Sequence, residues 1–168
     1  WDYPMPVAET ASIFNENLIM SAALNEASEE EKITLMESQI SDCAQITVDI
    51  YSRFLFEKEV FDRKLDHFMM SEELEEIMRN AQEKTYGDGL DPETYHPFMW
   101  ACKPHYYSAS FSFYNYPYSF GGLFSRGLYA IYKENPEGFV EKYQELLHAT
   151  TINTCEDVAK VMNIDLTK

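Results

Sequence analysis

From residue 7 to about residue 27 the chain has neither Pro nor Gly, and Ala11, Phe14, Leu18 and Ala22 recur at the spacing of one helix face. Pro4 and Pro6 mark the entry, and Pro6 suits a first helical turn, where its missing N–H would have had no partner anyway. Ser28-Glu29-Glu30-Glu31 follows as a capping box. Ser28 is the predicted N-cap, Glu31 reaches back to its backbone N–H, and the acidic triplet meets the positive end of the helix dipole. The helix beyond it has the clearest period in the sequence: Ile33, Met36, Ile40, Cys43, Thr47, Ile50 and Phe54 step alternately by 3 and 4, a narrow seam of coiled-coil type. The pattern runs to about Leu65 and predicts a rod of roughly 50 Å. A rod of that length has to pack along neighbours, so a helical bundle is expected. Ser71 is the predicted cap of a shorter helix reaching about Lys84, with Leu74, Ile77 and Met78 as its buried edge.

Helical periodicity then stops. Residues 85–92 form a turn cluster, and residues 95–104, with two Pro and Trp100, do not read as regular helix. Residues 105–120 alternate aromatics with small polar residues and end on Gly121-Gly122. Leu123, Leu128, Ile131 and Tyr132 predict a helix that stops near Asn135. Pro136 opens another, with Phe139, Val140, Tyr143, Leu146 and Leu147 as its apolar face, and Thr154 caps a last short one holding Val158 and Val161. Phe54, Phe61, Phe68 and Met69-Met70 are core candidates. No strand or internal repeat emerges, so the expected architecture is all-α, a helical bundle in one domain over residues 1–168.

Composition narrows the function. The 168 residues include 13 Lys+Arg against 29 Asp+Glu, a formal charge of −16, with 45% hydrophobic content. That content argues for a folded core despite the charge, and the length suits one domain. Strong acidity disfavours nucleic acid and anionic membrane surfaces as partners. No apolar run approaches the roughly 20 residues that a bilayer crossing needs, and no signal peptide is visible. Three widely spaced cysteines, Cys43, Cys102 and Cys155, fit reduced thiols in the cytoplasm better than a disulfide framework. The chain opens on Trp1 without an initiator Met and is inside a helical pattern within ten residues. The expectation is a piece of something longer.

No complete catalytic signature is present. Of His67, His96, His105 and His148, none pairs with another at i, i+4, and neither HExxH, a Ser/His/Asp set nor a phosphate loop occurs. His67 and His96 read as surface or loop residues, His148 as a partner of a helix C-terminus, and the Glu72-Glu73 and Glu75-Glu76 pairs as a solvated face. Two segments carry possible chemistry. Glu9 and Glu16 share one helix face; they read either as a solvated acidic stripe or, with Ala8, Ala11 and Ser12 letting another helix approach, as a carboxylate site. The stretch 105–120 holds more phenols than a core helix tolerates, since each buried hydroxyl needs a partner. It reads either as a cleft whose phenols bond a peptide or as a packing surface for another part of the protein.

At these residues the sequence resembles the C-terminal part of the oligoendopeptidase F family, thimet-oligopeptidase-like zinc metallopeptidases. The resemblance covers essentially the whole chain. It is strongest in Val7-Ala8-Glu9-Thr10-Ala11-Ser12-Ile13-Phe14-Asn15-Glu16, in Pro104-His105-Tyr106-Tyr107, in Phe113-Tyr114-Asn115-Tyr116-Pro117-Tyr118 and in the closing Asn153-Thr154-Cys155-Glu156-Asp157-Val158-Ala159-Lys160. It implies a zincin-type helical peptidase in which two His of an HExxH helix and a Glu from the next helix hold one zinc ion, with the HExxH Glu as general base. By position in the motif Glu9 is then the third zinc ligand, with Glu16 supporting it. His105 and Tyr116, with Tyr114 as second choice, become donors to the developing oxyanion. Tyr107, Tyr114 and Tyr118 line the path of a short, unfolded peptide, and a helical channel excludes folded chains. The family's HExxH helix lies just upstream of the Glu9 motif, and this sequence lacks it. The resemblance therefore implies a C-terminal fragment that needs the missing N-terminal part of the same protein and is inactive by itself. Its rival is a non-catalytic helical module that binds a peptide or a partner through the tyrosine segment.

Overall fold

The computed structural model describes residues 3–110 and 112–167. Trp1, on which the fragment expectation turns, and Phe111 of the aromatic segment lie outside the described residues. Those residues are all-α, as the periodicities predict, with no strand among them. The helices are α1 (Thr10–Glu26), α2 (Glu29–Ala44), α3 (Ile50–Arg63), α4 (Ser71–Tyr86), α5 (Tyr116–Glu134), α6 (Phe139–Ala149) and α7 (Cys155–Val161). A π turn, Gln45–Asp49, joins α2 to α3, so the helical path continues through the predicted rod, and short 3-10 turns fill the irregular stretch before α5. No helix among the described residues is long and apolar enough to cross a membrane. The chain divides into two compact units, Trp1–Gln39 with Pro117–Lys168, and Ile40–Tyr116.

In the first unit, α1, α5, α6 and α7 close around one core. Phe14 stacks on Phe139 at 5.5 Å and meets Tyr143 at 4.7 Å, while Leu128, Leu146 and Val158 are fully buried. The capping box forms: Ser28 N–H donates to Glu31 Oε2 at 2.8 Å, and Glu31 N–H donates to Ser28 Oγ at 3.4 Å. The Ser28 hydroxyl also donates to Glu31 Oε2 at 2.7 Å, and this bond, with the one from the Ser28 N–H, holds the Glu31 carboxyl below its ordinary range, the hydroxyl contributing most. Thr154 likewise caps α7 by accepting from Asp157 N–H at 3.3 Å. Helix α6 begins at Phe139 and not at Pro136, because Gly138 takes a left-handed conformation, φ 75°, that interrupts the helix.

The larger difference is at α5, which starts at Tyr116, seven residues before its predicted apolar face begins. Pro117 is accommodated in the first turn, and Gly121-Gly122, which read as a break, lie inside the helix and are buried. A Cβ on Gly121 would stand 3.0 Å from the Glu9 carbonyl carbon and 3.1 Å from the Glu9 Cβ. The glycine is what lets α5 cross the start of α1 backbone to backbone. Asn17 Nδ2 donating to Ser125 Oγ at 3.2 Å, and the Tyr129 hydroxyl donating to Ser21, fasten the same two helices farther along.

The second unit is built on α3 and α4, with Phe56, Ile77, Met78 and Ala81 as its core and Trp100 and Tyr106 packed against them. Gln82, 1% exposed, holds the irregular segment: its amide accepts from His96 N–H and donates to the His96 carbonyl, both at 2.9 Å. The apolar seam is only half realised. Helix α2 buries none of its residues, and Ile33 and Ile40 are 65% and 71% exposed; burial begins at Asp49 and Ile50, where α4 packs against the π turn and α3. Phe68 is 87% exposed and Met70 is also exposed, so neither is core, whereas Phe54 and Phe61 pack on Phe113. Ser71 does not cap α4; Met70 takes that place, and the Ser71 hydroxyl donates to Glu75 at 3.2 Å.

Glycine placement yields a paired expectation. Gly121→Ala forces a backbone shift at Glu9 and lowers stability by about 1–3 kcal/mol. Gly127→Ala on the same helix meets only Ile164 Cδ1 at 3.7 Å and raises stability by about 0.5–1 kcal/mol through helix propensity. Urea unfolding followed by circular dichroism checks both signs; equal effects of the two would remove the close approach as a constraint.

Candidate functional site

Glu9 stands at the N-cap of α1, half-buried, with backbone angles φ −97° and ψ 5° outside the helix. Its Oε2 accepts from the Ser12 hydroxyl at 3.2 Å, and its backbone carbonyl accepts from the same hydroxyl at 3.0 Å. Its main chain is the part pressed by Gly121, which fixes where the side chain departs. Glu16 lies two turns along α1 and is exposed. Tyr118, half-buried, lies one turn before Gly121 on α5. Among the described residues no group of three or more His, Cys, Asp or Glu comes together as a metal site. Glu9 thus fits zinc as one oxygen donor of a larger set, since such sites take three or four protein ligands.

The second unit carries His105 in the 3-10 turn Pro104–Tyr107, half-buried, with its ring 5.8 Å from that of Tyr114. These two candidates are brought together. Tyr116 is half-buried at the first position of α5. Tyr107 is 62% exposed, and its hydroxyl donates to the Trp100 carbonyl at 3.4 Å. His67 is exposed and paired with Glu73 at 2.8 Å, and His148 is exposed in the last turn of α6.

What organises this segment is a row of charged residues that sequence reasoning missed. Asp49, Arg53 and Glu57 follow one another at i, i+4 and i+8 along one face of the helical run, and all three are buried. Arg53 is ion-paired to Asp49 and donates to Asn115 Oδ1 at 3.4 Å, while the Arg53 carbonyl accepts from the Tyr106 hydroxyl at 3.3 Å. Tyr86 donates to Asp49 Oδ1 at 3.3 Å. Glu57 Oε1 accepts from Phe113 N–H at 2.6 Å. Burial pushes the Tyr86 phenol up to about 12, assisted by Asp49, and pushes Tyr106 well above its ordinary value, so both stay protonated donors at neutral pH. Burial also raises the Glu57 carboxyl, opposed by the Phe113 N–H. The signal was present in the sequence as an alternating acid–base–acid row at four-residue steps within an apolar helix. The apolar residues Ile50, Phe54 and Phe61 drew attention to a neighbouring face.

The model of Peptidase family M3 matches residues 1–167. The chain is 30% identical over 122 residues to the chromosomal oligoendopeptidase F of Lactococcus lactis subsp. cremoris, covering 71% of this chain and 20% of that protein. It is 27% identical over 172 aligned positions to an oligoendopeptidase F homolog of Borreliella burgdorferi, covering 100% of this chain and 28% of that protein. The chain thus spans between a fifth and three-tenths of the length of these relatives. No solved structure matches it.

The buried row is expected to dominate stability of the second unit. Asp49→Asn leaves the Arg53 guanidinium out of water without a counter-charge and costs about 3–5 kcal/mol. Tyr86→Phe removes a single bond from a neutral donor to the Asp49 carboxylate and costs about 1.5–3 kcal/mol. Urea midpoints at pH 7 separate the two; an Asp49→Asn midpoint equal to wild type would show that the pair carries no such weight.

Proposed function

The chain belongs to peptidase family M3, and from that premise we propose that it is the C-terminal part of the catalytic region of a zinc metalloendopeptidase acting on short, unfolded peptides. The observation that carries this reading is the family match across residues 1–167, in a chain spanning only 20% and 28% of its relatives' lengths. The HExxH helix, with two ligands and the general base, then belongs to sequence upstream of this chain, and the chain alone is inactive. Its three free thiols and lack of a membrane-crossing helix among the described residues support a cytoplasmic setting.

In this reading Glu9 is the third zinc ligand. Its N-cap position, locked by Gly121 against its backbone, supports that role because a ligand has to be held without conformational search. Glu16, seven residues along the same helix face, supports it. Zinc, when bound, polarises the scissile carbonyl and lowers the pKa of a water. His105 and Tyr116, with Tyr114 as second choice, donate hydrogen bonds to the oxygen on which charge develops, a task suited to an imidazole N–H and a phenol. The 5.8 Å approach of the His105 and Tyr114 rings supports a shared donor edge. Tyr107, Tyr114 and Tyr118 bind the peptide through their hydroxyls and ring faces.

The test uses the longer protein that includes the upstream sequence. Glu9→Gln loses zinc, measured by metal analysis, together with peptidase activity. Tyr116→Phe retains zinc and KM and lowers kcat by about 10²–10³. Full zinc content in Glu9→Gln would remove its ligand role. A longer protein with no HExxH and no zinc would leave the non-catalytic helical binding module as the function.

A further inference from the structure

Phe113 has φ 61°, a left-handed conformation that a phenylalanine rarely adopts. Three side chains of α3 grip it. The Phe54 and Phe61 rings lie 5.6 and 5.1 Å from its ring, and Glu57, between them in sequence, takes its N–H at 2.6 Å. The spacing 54, 57, 61 puts all three on one helix face. Glu57 is 5% exposed, and its second oxygen, Oε2, is buried with no hydrogen-bond partner among the described residues. A carboxylate taken this far out of water for a single bond is costly unless that bond is needed.

The bond sits where the tyrosine segment changes direction. Tyr114 follows Phe113 and faces His105, and Asn115, 1% exposed, is held by Arg53, one helical turn before Glu57. Glu57, His105, Tyr107, Ser108 and Ser112 line one groove of about 300 Å³. The charged and titratable groups around Glu57 are Arg53 on its own helix and His105, Tyr106 and Tyr107 on the packed 3-10 turn.

We infer that Glu57 is a positioning residue: its carboxyl holds the Phe113 N–H, fixes the left-handed turn there, and so keeps Tyr114 against His105. The functional consequence rests on the reading of His105 and the tyrosines as substrate-side donors; the positioning itself does not. Replacement by Gln keeps the shape but offers the amide N–H a weaker acceptor.

Two measurements test this. In nitrogen-15-labelled protein, the Phe113 amide proton resonates far downfield and moves with pH through the Glu57 titration, with a midpoint above the ordinary value of 4.5 because burial is the main influence. In Glu57→Gln the amide moves upfield and the His105–Tyr114 ring contacts weaken, while signals of Ile77 and Met78 in the core stay in place. In the longer peptidase Glu57→Gln lowers kcat by about 10–100-fold with zinc content and KM unchanged, and Glu57→Asp restores part of it. Unaltered His105–Tyr114 contacts in Glu57→Gln overturn the inference. If that variant does not fold, a wild-type Phe113 amide that ignores pH between 4 and 7 overturns it. Absence of peptidase activity from the longer wild-type protein would sink the proposed function and leave the resonance result to decide the positioning.

Discussion

A guanidinium almost wholly removed from water has to be neutralised and hydrogen-bonded where it lies, and Arg53 sets that requirement for the second unit. Asp49 neutralises it from one turn before. Asn115 accepts one of its N–H groups from 62 residues farther along the chain. The Arg53 carbonyl is met by the Tyr106 hydroxyl, and Glu57, one turn on, holds Phe113. A single helix face therefore fixes the irregular 104–115 stretch at three separate points. Loops without secondary structure of their own have few contacts to define them, and polar bonds from a rigid helix supply the definition.

The first unit solves a related problem by removing atoms. Glu9 is exposed enough to reach a ligand, yet its backbone is pinned because α5 passes over it at a glycine. The polar bonds from Asn17 and the Tyr129 hydroxyl, flanking this crossing, keep α1 and α5 in register. Close backbone approach and buried charge are different devices with one result. Each places a polar side chain by constraining the main chain that carries it.

The exposed seam of α2 is informative in the same terms. Ile33, Met36 and Ile40 keep the 3-4 spacing of a packed helix while standing in solvent. A spacing of this kind marks a face suited to packing, and among the described residues it stays uncovered along α2. Within the second unit the seam gains cover where α4 lies along α3, and there the buried face includes charged residues that a hydrophobicity pattern does not reveal.

Helix existence, the two capping signatures at Ser28 and Thr154, the apolar face of α4 and, in Phe139, Tyr143 and Leu146, part of that of α6 were legible in the sequence because they depend on neighbours within a turn or two; Val140 and Leu147, read onto the same α6 face, are exposed. So was the family likeness, since it rests on residue order alone. The start of α5 was not legible. Pro117 and Gly121-Gly122 carry breaker chemistry, and only the approach of α1 to within 3.0 Å of a missing Cβ makes glycine the packing residue there. Nor were Asp49, Arg53 and Glu57 legible as organisers: charged residues belong at the surface by default, and what buries them is packing by residues distant in sequence, α4 with Tyr86 against Asp49, and Tyr106, Phe113 and Asn115 against Arg53 and Glu57. Local periodicity determined which segments are helical, whereas contacts between residues far apart in the chain decided where the candidate side chains stand.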